Sequence, residues 1–414
     1  MRTSGSGYWL KLVGPFLACF LLALPGLLIA AGSLHAPAEF AALALGVSIV
    51  AAAFMLGWIG EAAELDLAGG LSVGLLAVVT ILPEYVVSVY FAYAAGTDPS
   101  MVQYASANVT GANRLLLGFG WPAIAVIGYL ALKAKSKFKA GTEESKKFGI
   151  ELDDESRTDL GFLLLASTLA IFIPLTGSLH LLLGIGLVLL FFFYLWRQSH
   201  AEREEPELEG TAARVGALPK WGRRGFILFF FLLAAAIILA SAEPFAHNLI
   251  EAGSDLGINQ YLLVQWLAPL ASEAPEFTLA ILFAARGKAN LGLAVLISSK
   301  VNQWTALAGS LPIAYVVGGG SAWLPMDGRQ SEEFLLTTAQ TLMGVGLLLG
   351  LRLGIRASIA LFALFAVAFV IPDPGIRMDI AWVYFAVAAF FFIRRRRYIR
   401  ETLQAPFKLP KNPV

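Results

Sequence analysis

The sequence predicts an all-α, polytopic membrane protein with about twelve transmembrane helices, built on two repeats of opposite topology. Three observations predict it. First, 58% of the 414 residues are hydrophobic and only 14% are charged, with a mean hydropathy of +0.72. Soluble domains carry about 25% charged residues, and cores of this size could not bury so much apolar surface. Second, apolar runs of the length needed to cross about 30 Å of hydrocarbon recur along the whole chain. Third, with the N terminus in the cytoplasm, 26 of the 30 basic residues fall in inside segments, as the positive-inside rule requires. Soluble enzymes, nucleic-acid binders and disordered scaffolds are thereby excluded.

In chain order the runs lie at 12–31, 39–60, 71–95, 103–132, 160–176, 178–196, 225–242, 260–285, 290–317, 334–351, 356–371 and 378–393. The first is too long for a signal peptide and lacks a cleavage-like flank. The breaks near 177 and 373 rest on Pro174, Gly177, Pro372 and Pro374 as breakers. Arg329 and Arg377 are the two basic residues left outside, and Arg114 and Lys300 fall inside spans. The mixed-charge segments 133–159 and 197–224 read as solvated cytoplasmic loops. The four arginines at 394–397 read as an anchor at lipid headgroups. Glu61, Glu64 and Asp66 fall in a loop at 61–70, and Glu243, Glu251 and Asp255 in one at 243–258. They are either vestibules that attract cations or ordinary loop acids.

Several chemistries are absent. One cysteine, Cys19, permits neither an internal disulfide nor a cysteine metal cluster. The four histidines are far apart, and no H-E-x-x-H or Walker A stretch occurs. No route to ATP and no cofactor is expected, so any work done is driven by a gradient.

Two segments resemble each other. VVTILPEYVVSVYFAYAAG at 78–96 is followed by SANVTGANRLLLGFGWP at 106–122, and PLASEAPEFTLAILFAARG at 269–287 by LISSKVNQWTALAGSLP at 296–312. Thr80, Pro83 and Glu84 match Ser272, Pro275 and Glu276 at a constant offset of 192. The first pair of helices meets at an outside turn and the second at an inside turn, so the repeats are inverted. Inverted repeats with interrupted helices are the architecture of alternating-access transporters.

These stretches resemble the calcium/cation antiporter superfamily, which includes the sodium/calcium and calcium/proton exchangers. Its two alpha-repeats carry a G-T-S-L-P-E-like stretch and then a G-N-x-x-G-S-N-like stretch. The matching residues here are Thr80 to Glu84 with Asn108 to Asn113, and Ser272 to Glu276 with Ser298 to Lys300. Ser241-Ala242-Glu243 and Leu256-Gly257-Ile258 look like the lead-in to the second repeat. The resemblance covers 36–132 and 225–317 and implies a core of ten helices. The two extra ones are then 12–31 and 378–393. This divides the chain into 1–35, a first half at 36–196 with its repeat at 71–132, a loop at 197–224, a second half at 225–371 with its repeat at 260–317, and 372–414 with the basic tail.

Glu84 and Glu276 lie near mid-depth, where a charge costs about 2.5–3.5 kcal/mol on insertion scales and marks function by default. The adjoining prolines loosen each helix and free carbonyl oxygens, which suit Ca²⁺ or Na⁺ as hard ligands. Thr80 and Ser272 lie four residues before each glutamate, on the same helix face. Asn113 occupies a position that supplies a ligand in the family. A helix–helix hydrogen bond is the other use of such an amide. In the second repeat, matching Ser298-Ser299-Lys300 to Gly111-Ala112-Asn113 puts Lys300 at the ligand position. A shift of two would put Asn302 there instead and leave Lys300 on the far face. The first register is preferred, and it keeps Ser299 and Asn302 as secondary candidates.

Lys300 then acts as a built-in counter-cation or carries the proton itself. Glu273, which has no acidic match in the first repeat, is a candidate partner for it. Trp304, one turn on, is a candidate contact. Arg114 reads as a structural ion-pair partner. Glu84, Glu273 and Glu276 against Lys300 and Arg114 leave a formal charge near −1, which leans towards Na⁺/H⁺ or another proton-coupled exchange over Ca²⁺ exchange. The expected function is secondary antiport of Na⁺ or Ca²⁺ against H⁺ (or Na⁺) by alternating access at Glu84 and Glu276. Two alternatives stay open: a cation channel or uniporter, and a non-transporting sensor plugged by Lys300. The expected partners are inorganic cations and the lipid bilayer, with no nucleic acid. The expected location is a prokaryotic plasma membrane, with both termini cytoplasmic.

Overall fold

The computed structural model describes residues 5–63, 65–66, 82, 84–134, 149–200, 208, 210–371 and 373–408. Nearly all of these are helical, because the apolar runs are long and contain few breakers. Among the described residues seven helices are long and apolar enough to cross a membrane: Tyr8–Ala30, Ala38–Ala63, Pro99–Ala134, Ser156–Thr176, Leu181–Gln198, Lys220–Asp255 and Pro374–Arg394. The pair Gln260–Ser272 and Ala274–Ala285, bent by 57°, makes an eighth. The other expected runs depart from simple span chemistry. The 289–317 stretch carries Lys300, and Gly328–Leu348 carries Arg329, Glu332 and Glu333. Ile355–Val370 is only 16 residues long. The third run is described only at 82 and from 84 onward, as a helix over 84–94.

Contacts divide the chain into two interleaved units, one of residues 1–91, 195–275 and 410–414, the other of 92–194 and 276–409. In the first unit, Gly5–Ala30 packs on Ala38–Ala63 through small residues. Gly26 faces Ser48, whose hydroxyl donates to the Ala23 carbonyl at 2.9 Å. Small residues let membrane helices approach closely where lipid supplies no hydrophobic drive between them. Phe16, Met55, Ile59 and Ile237 form the apolar centre, with Phe16 against Trp58, Phe226 and Phe230.

One expected loop is corrected. The segment 243–258 is helical through Asp255, because Lys220–Asp255 runs on as one 36-residue helix past Pro244. Proline removes the donor that the Ala240 carbonyl would otherwise use, and the Asn248 side chain donates to the Pro244 carbonyl at 2.8 Å within the same stretch. Asp66 is no vestibule acid. Arg223 donates to both of its carboxylate oxygens, at 2.6 and 2.9 Å, and Arg224 adds a contact at 3.3 Å. Arg223 also donates to the Gly216 carbonyl at 2.8 Å, which fastens the short helix Gly210–Gly216. Glu64 lies outside the described residues.

Among its described residues the second unit is helices and their connecting turns, with two antiparallel ribbons of three residues per strand. Gly149–Glu151 pairs with Arg352–Gly354, and Ser178–His180 with Trp323–Pro325. Both ribbons join loops at helix ends. The break at 177 is made by Gly177, which takes a left-handed conformation with φ 62°. The break near 373 is made by Asp373, whose side chain accepts from the Ile376 N–H at 2.9 Å and caps Pro374–Arg394.

Candidate functional site

The two repeats share a device that neither composition nor hydropathy signals. Val102–Leu115 and Ala289–Asn302 are both fourteen residues long, and each runs straight into a five-residue π-helical turn, Leu116–Gly120 and Gln303–Leu307. All four bounds agree at an offset of 187. A π turn shifts the register of a helix and leaves backbone groups off the regular ladder, and such turns gather at functional sites. The shared offset pairs Lys300 with Asn113.

Lys300 and Asn113 also meet in space. The Lys300 ammonium donates to the Asn113 carbonyl at 2.8 Å and to its side-chain oxygen at 3.1 Å. The Asn113 amide nitrogen donates to the Val109 carbonyl at 3.1 Å, which turns the side-chain oxygen towards the lysine. Both side chains are fully buried. A buried ammonium is costly unless its donors are met, and two oxygens of one residue meet two of its three here. On the same helix, Ser298 shares a hydrogen bond of 2.7 Å with the Tyr194 hydroxyl. Ser299 is half-buried, and Asn302 is buried.

Glu276 stands half-buried in the first turn of Ala274–Ala285, where free N–H groups and the helix dipole favour a negative charge. Gly292 lets this helix and the Lys300 helix approach, since a Cβ there would lie 2.5 Å from the Ala280 carbonyl oxygen.

In the first unit, Glu84 is buried on the helix over 84–94. Tyr90 on that helix and His247 on Lys220–Asp255 share a hydrogen bond of 2.9 Å. Ser272 ends Gln260–Ser272, with its hydroxyl donating to the Ala268 carbonyl at 3.2 Å. Glu273 caps the same helix end and is buried. Thr80 and Pro83 lie outside the described residues.

Arg114 is engaged away from Asn113. It donates to Glu333 at 2.6 Å, both side chains being almost wholly buried. Arg377 also bonds Glu333 and lies 3.3 Å from Glu332. Two arginines and two glutamates thus close a neutral network that joins Val102–Leu115, Gly328–Leu348 and Pro374–Arg394. Sequence reasoning missed this network and assigned Arg377 to an outside loop. The available signal was the Glu332-Glu333 pair abutting an apolar run. Trp304 does not serve Lys300 as a hydrogen-bond donor; its indole N–H donates to Thr341 at 3.0 Å.

Among the described residues no three His, Cys, Asp or Glu side chains gather in one place.

Comparison with known proteins assigns the chain to a family. The crystal structure of an H⁺/Ca²⁺ exchanger, CAX, is 39% identical in sequence, with a TM-score of 0.88 over 95% of this chain and 97% of that one. The structure of YfkE, 16% identical, shares the fold with a TM-score of 0.62 over 85% of this chain and 98% of that one. CaxA of Alkalimonas amylolytica is 25% identical over 198 residues, which are 48% of this chain, and the chain spans 57% of the length of that relative. The model of the sodium/calcium exchanger protein family matches residues 16–199 and 226–372, omitting most of the charged segment 197–224. With most of its length matched, the chain is a member of the sodium/calcium exchanger protein family.

Proposed function

We propose that the chain is a proton-coupled antiporter of a divalent cation, with Ca²⁺ the first candidate, and that Glu84 and Glu276 carry the cation and the protons in turn. The observation that carries this reading is a set of titratable groups removed from water. Glu84 is 4% exposed, Glu273 2% and Lys300 0%. A carboxylate with no water around it needs a cation or a proton, so the two compete for it, and that competition is exchange. Thr80, Ser272 and Asn113 are the candidate neutral oxygens. Alternating access follows from the repeats.

The charge count favours a divalent ion. The neutral Arg114 network removes Arg114 from the balance. Glu84, Glu273 and Glu276 against Lys300 then leave two negative charges, where counting Arg114 left one. The 39% identity to a protein named as an H⁺/Ca²⁺ exchanger supports the same choice.

The test is transport in proteoliposomes under an imposed pH gradient, with Ca²⁺, Na⁺, K⁺ or Li⁺ added outside and lumenal pH read. Ca²⁺ should move protons in the parent and not in Glu84→Gln or Glu276→Gln. Silence to every cation in both gradient directions would sink proton coupling. A response to Na⁺ without one to Ca²⁺ would sink the divalent assignment. The lysine on Asn113 favours one second reading, a permanently plugged site. It requires that the parent bind no cation and that Lys300→Ala gain binding.

A further inference from the structure

Within the second unit lies an apolar cavity of about 460 Å³, walled by Leu164, Leu190, Phe392, Ile399 and Leu403. Thr168 adds the one hydroxyl of the lining, and it is already donating to the Leu164 carbonyl at 2.7 Å. Three walls belong to Ser156–Thr176, Leu181–Gln198 and Pro374–Arg394, all long and apolar enough to span a membrane. The fourth is the short helix Arg396–Gln404, which follows the last of them.

That short helix is amphipathic by spacing. Ile399 and Leu403, four residues apart, face the cavity. Arg396 and Arg400, also four apart, are exposed, with Arg397 and Arg394 beside them. Its position is held by other groups. Arg157 reaches Thr402 at 3.5 Å and Glu401 at 3.8 Å, and Arg395 turns inward to the Leu347 carbonyl. Arg397 stacks over Tyr398 at 4.6 Å. The one acid on this helix, Glu401, faces Arg157.

We propose that this groove binds an anionic phospholipid, with one acyl chain in the cavity and the phosphate on Arg396, Arg397 and Arg400. The occupant follows from charge and polarity together. A lining with no available polar group takes a hydrocarbon chain. A rim of guanidinium groups one turn beyond a span's end lies at headgroup depth, where basic residues attract anionic lipid and match phosphate geometry. A free anion leaves the groove unfilled, and a zwitterionic lipid brings no net charge to the rim.

The experiment is native mass spectrometry of the full chain in detergent, titrated with phosphatidylglycerol or with phosphatidylcholine of the same acyl chains. The parent should retain phosphatidylglycerol in preference. The triple change Arg396→Gln, Arg397→Gln, Arg400→Gln should weaken it on the order of a hundredfold, at roughly fivefold per basic residue. Leu190→Trp, which fills the cavity and leaves the arginines intact, should also weaken it. Leu403→Trp repeats that test at a partly exposed position, and melting temperatures in lipid-free detergent verify that each variant folds. Equal retention of the two lipids overturns the proposal. So does full retention in both tryptophan variants, which would mean that surface charge alone attracts the lipid.

Discussion

Lys300 is the residue on which the proposed exchange turns. Its ammonium takes up both oxygens of Asn113, so a cation must displace it or do without them. Lys300→Met keeps an unbranched side chain one atom shorter and removes the charge. Ca²⁺ should then bind more tightly, on the order of tenfold (about 1.4 kcal/mol), and leave more slowly. Calorimetric titration of the detergent-solubilised protein measures the first effect, and lost binding would instead make the lysine a prop for the site. Glu333 tests a different kind of buried charge. Removing one partner of a buried pair costs about 3–5 kcal/mol, and Glu333→Gln takes a carboxylate from Arg114 and Arg377 at once. Its melting temperature should drop sharply. The change Glu401→Gln, at a surface ion pair 3.8 Å from Arg157, should scarcely alter it.

At the scale of elements, the two π turns and the Asp66 clamp do separate jobs. Each turn follows directly on one of two equivalent helices, and Asn113 and Lys300 on those helices meet although 187 residues separate them. The clamp fastens the start of Lys220–Asp255 to the end of Ala38–Ala63. Hydrogen bonds from Arg223 are the main reason that the Asp66 carboxyl is held below its usual range, with the charges of Arg223 and Arg224 adding to the effect. A carboxyl with a depressed folded pKa stabilises at pH above its unfolded value. It loses that contribution as pH falls through the folded one. The stability difference between the parent and Asp66→Asn should therefore be flat from neutral pH down to about 4, then shrink in stronger acid. Thermal melts of both proteins across that range measure it. A difference that shrank between pH 8 and 6 would point to another group.

At the scale of the whole molecule, the two-charge excess of the proposed site sets a stoichiometry for the proposed exchange. One divalent cation or two protons neutralise the same set, so the proposed cycle carries no net charge. Ca²⁺-driven proton movement should keep its rate when a potassium diffusion potential of either sign is imposed on the liposomes. A rate that follows the potential would reject two-for-one exchange. The lipid groove belongs to this scale too, because its walls come from helices far apart in sequence.

The sequence alone determined the all-α membrane class, because hydropathy and run length are local properties and the bilayer reads them span by span. It also exposed the duplicated Pro-Glu stretches and the intramembrane charges Glu84, Glu276, Arg114 and Lys300, since a charge within an apolar run is visible without any partner. It misjudged the end of the Lys220–Asp255 helix, where polar residues resembled a loop but the backbone ladder continued past Pro244. Tertiary structure alone decided the partners. Arg114 finds Glu333 across 219 residues and Lys300 finds Asn113 across 187. Pairings over such separations depend on helix packing and on two π turns, neither of which leaves a periodic trace in the chain. By taking Arg114 out of the charge balance, that packing turned the proposed cargo from a monovalent to a divalent cation.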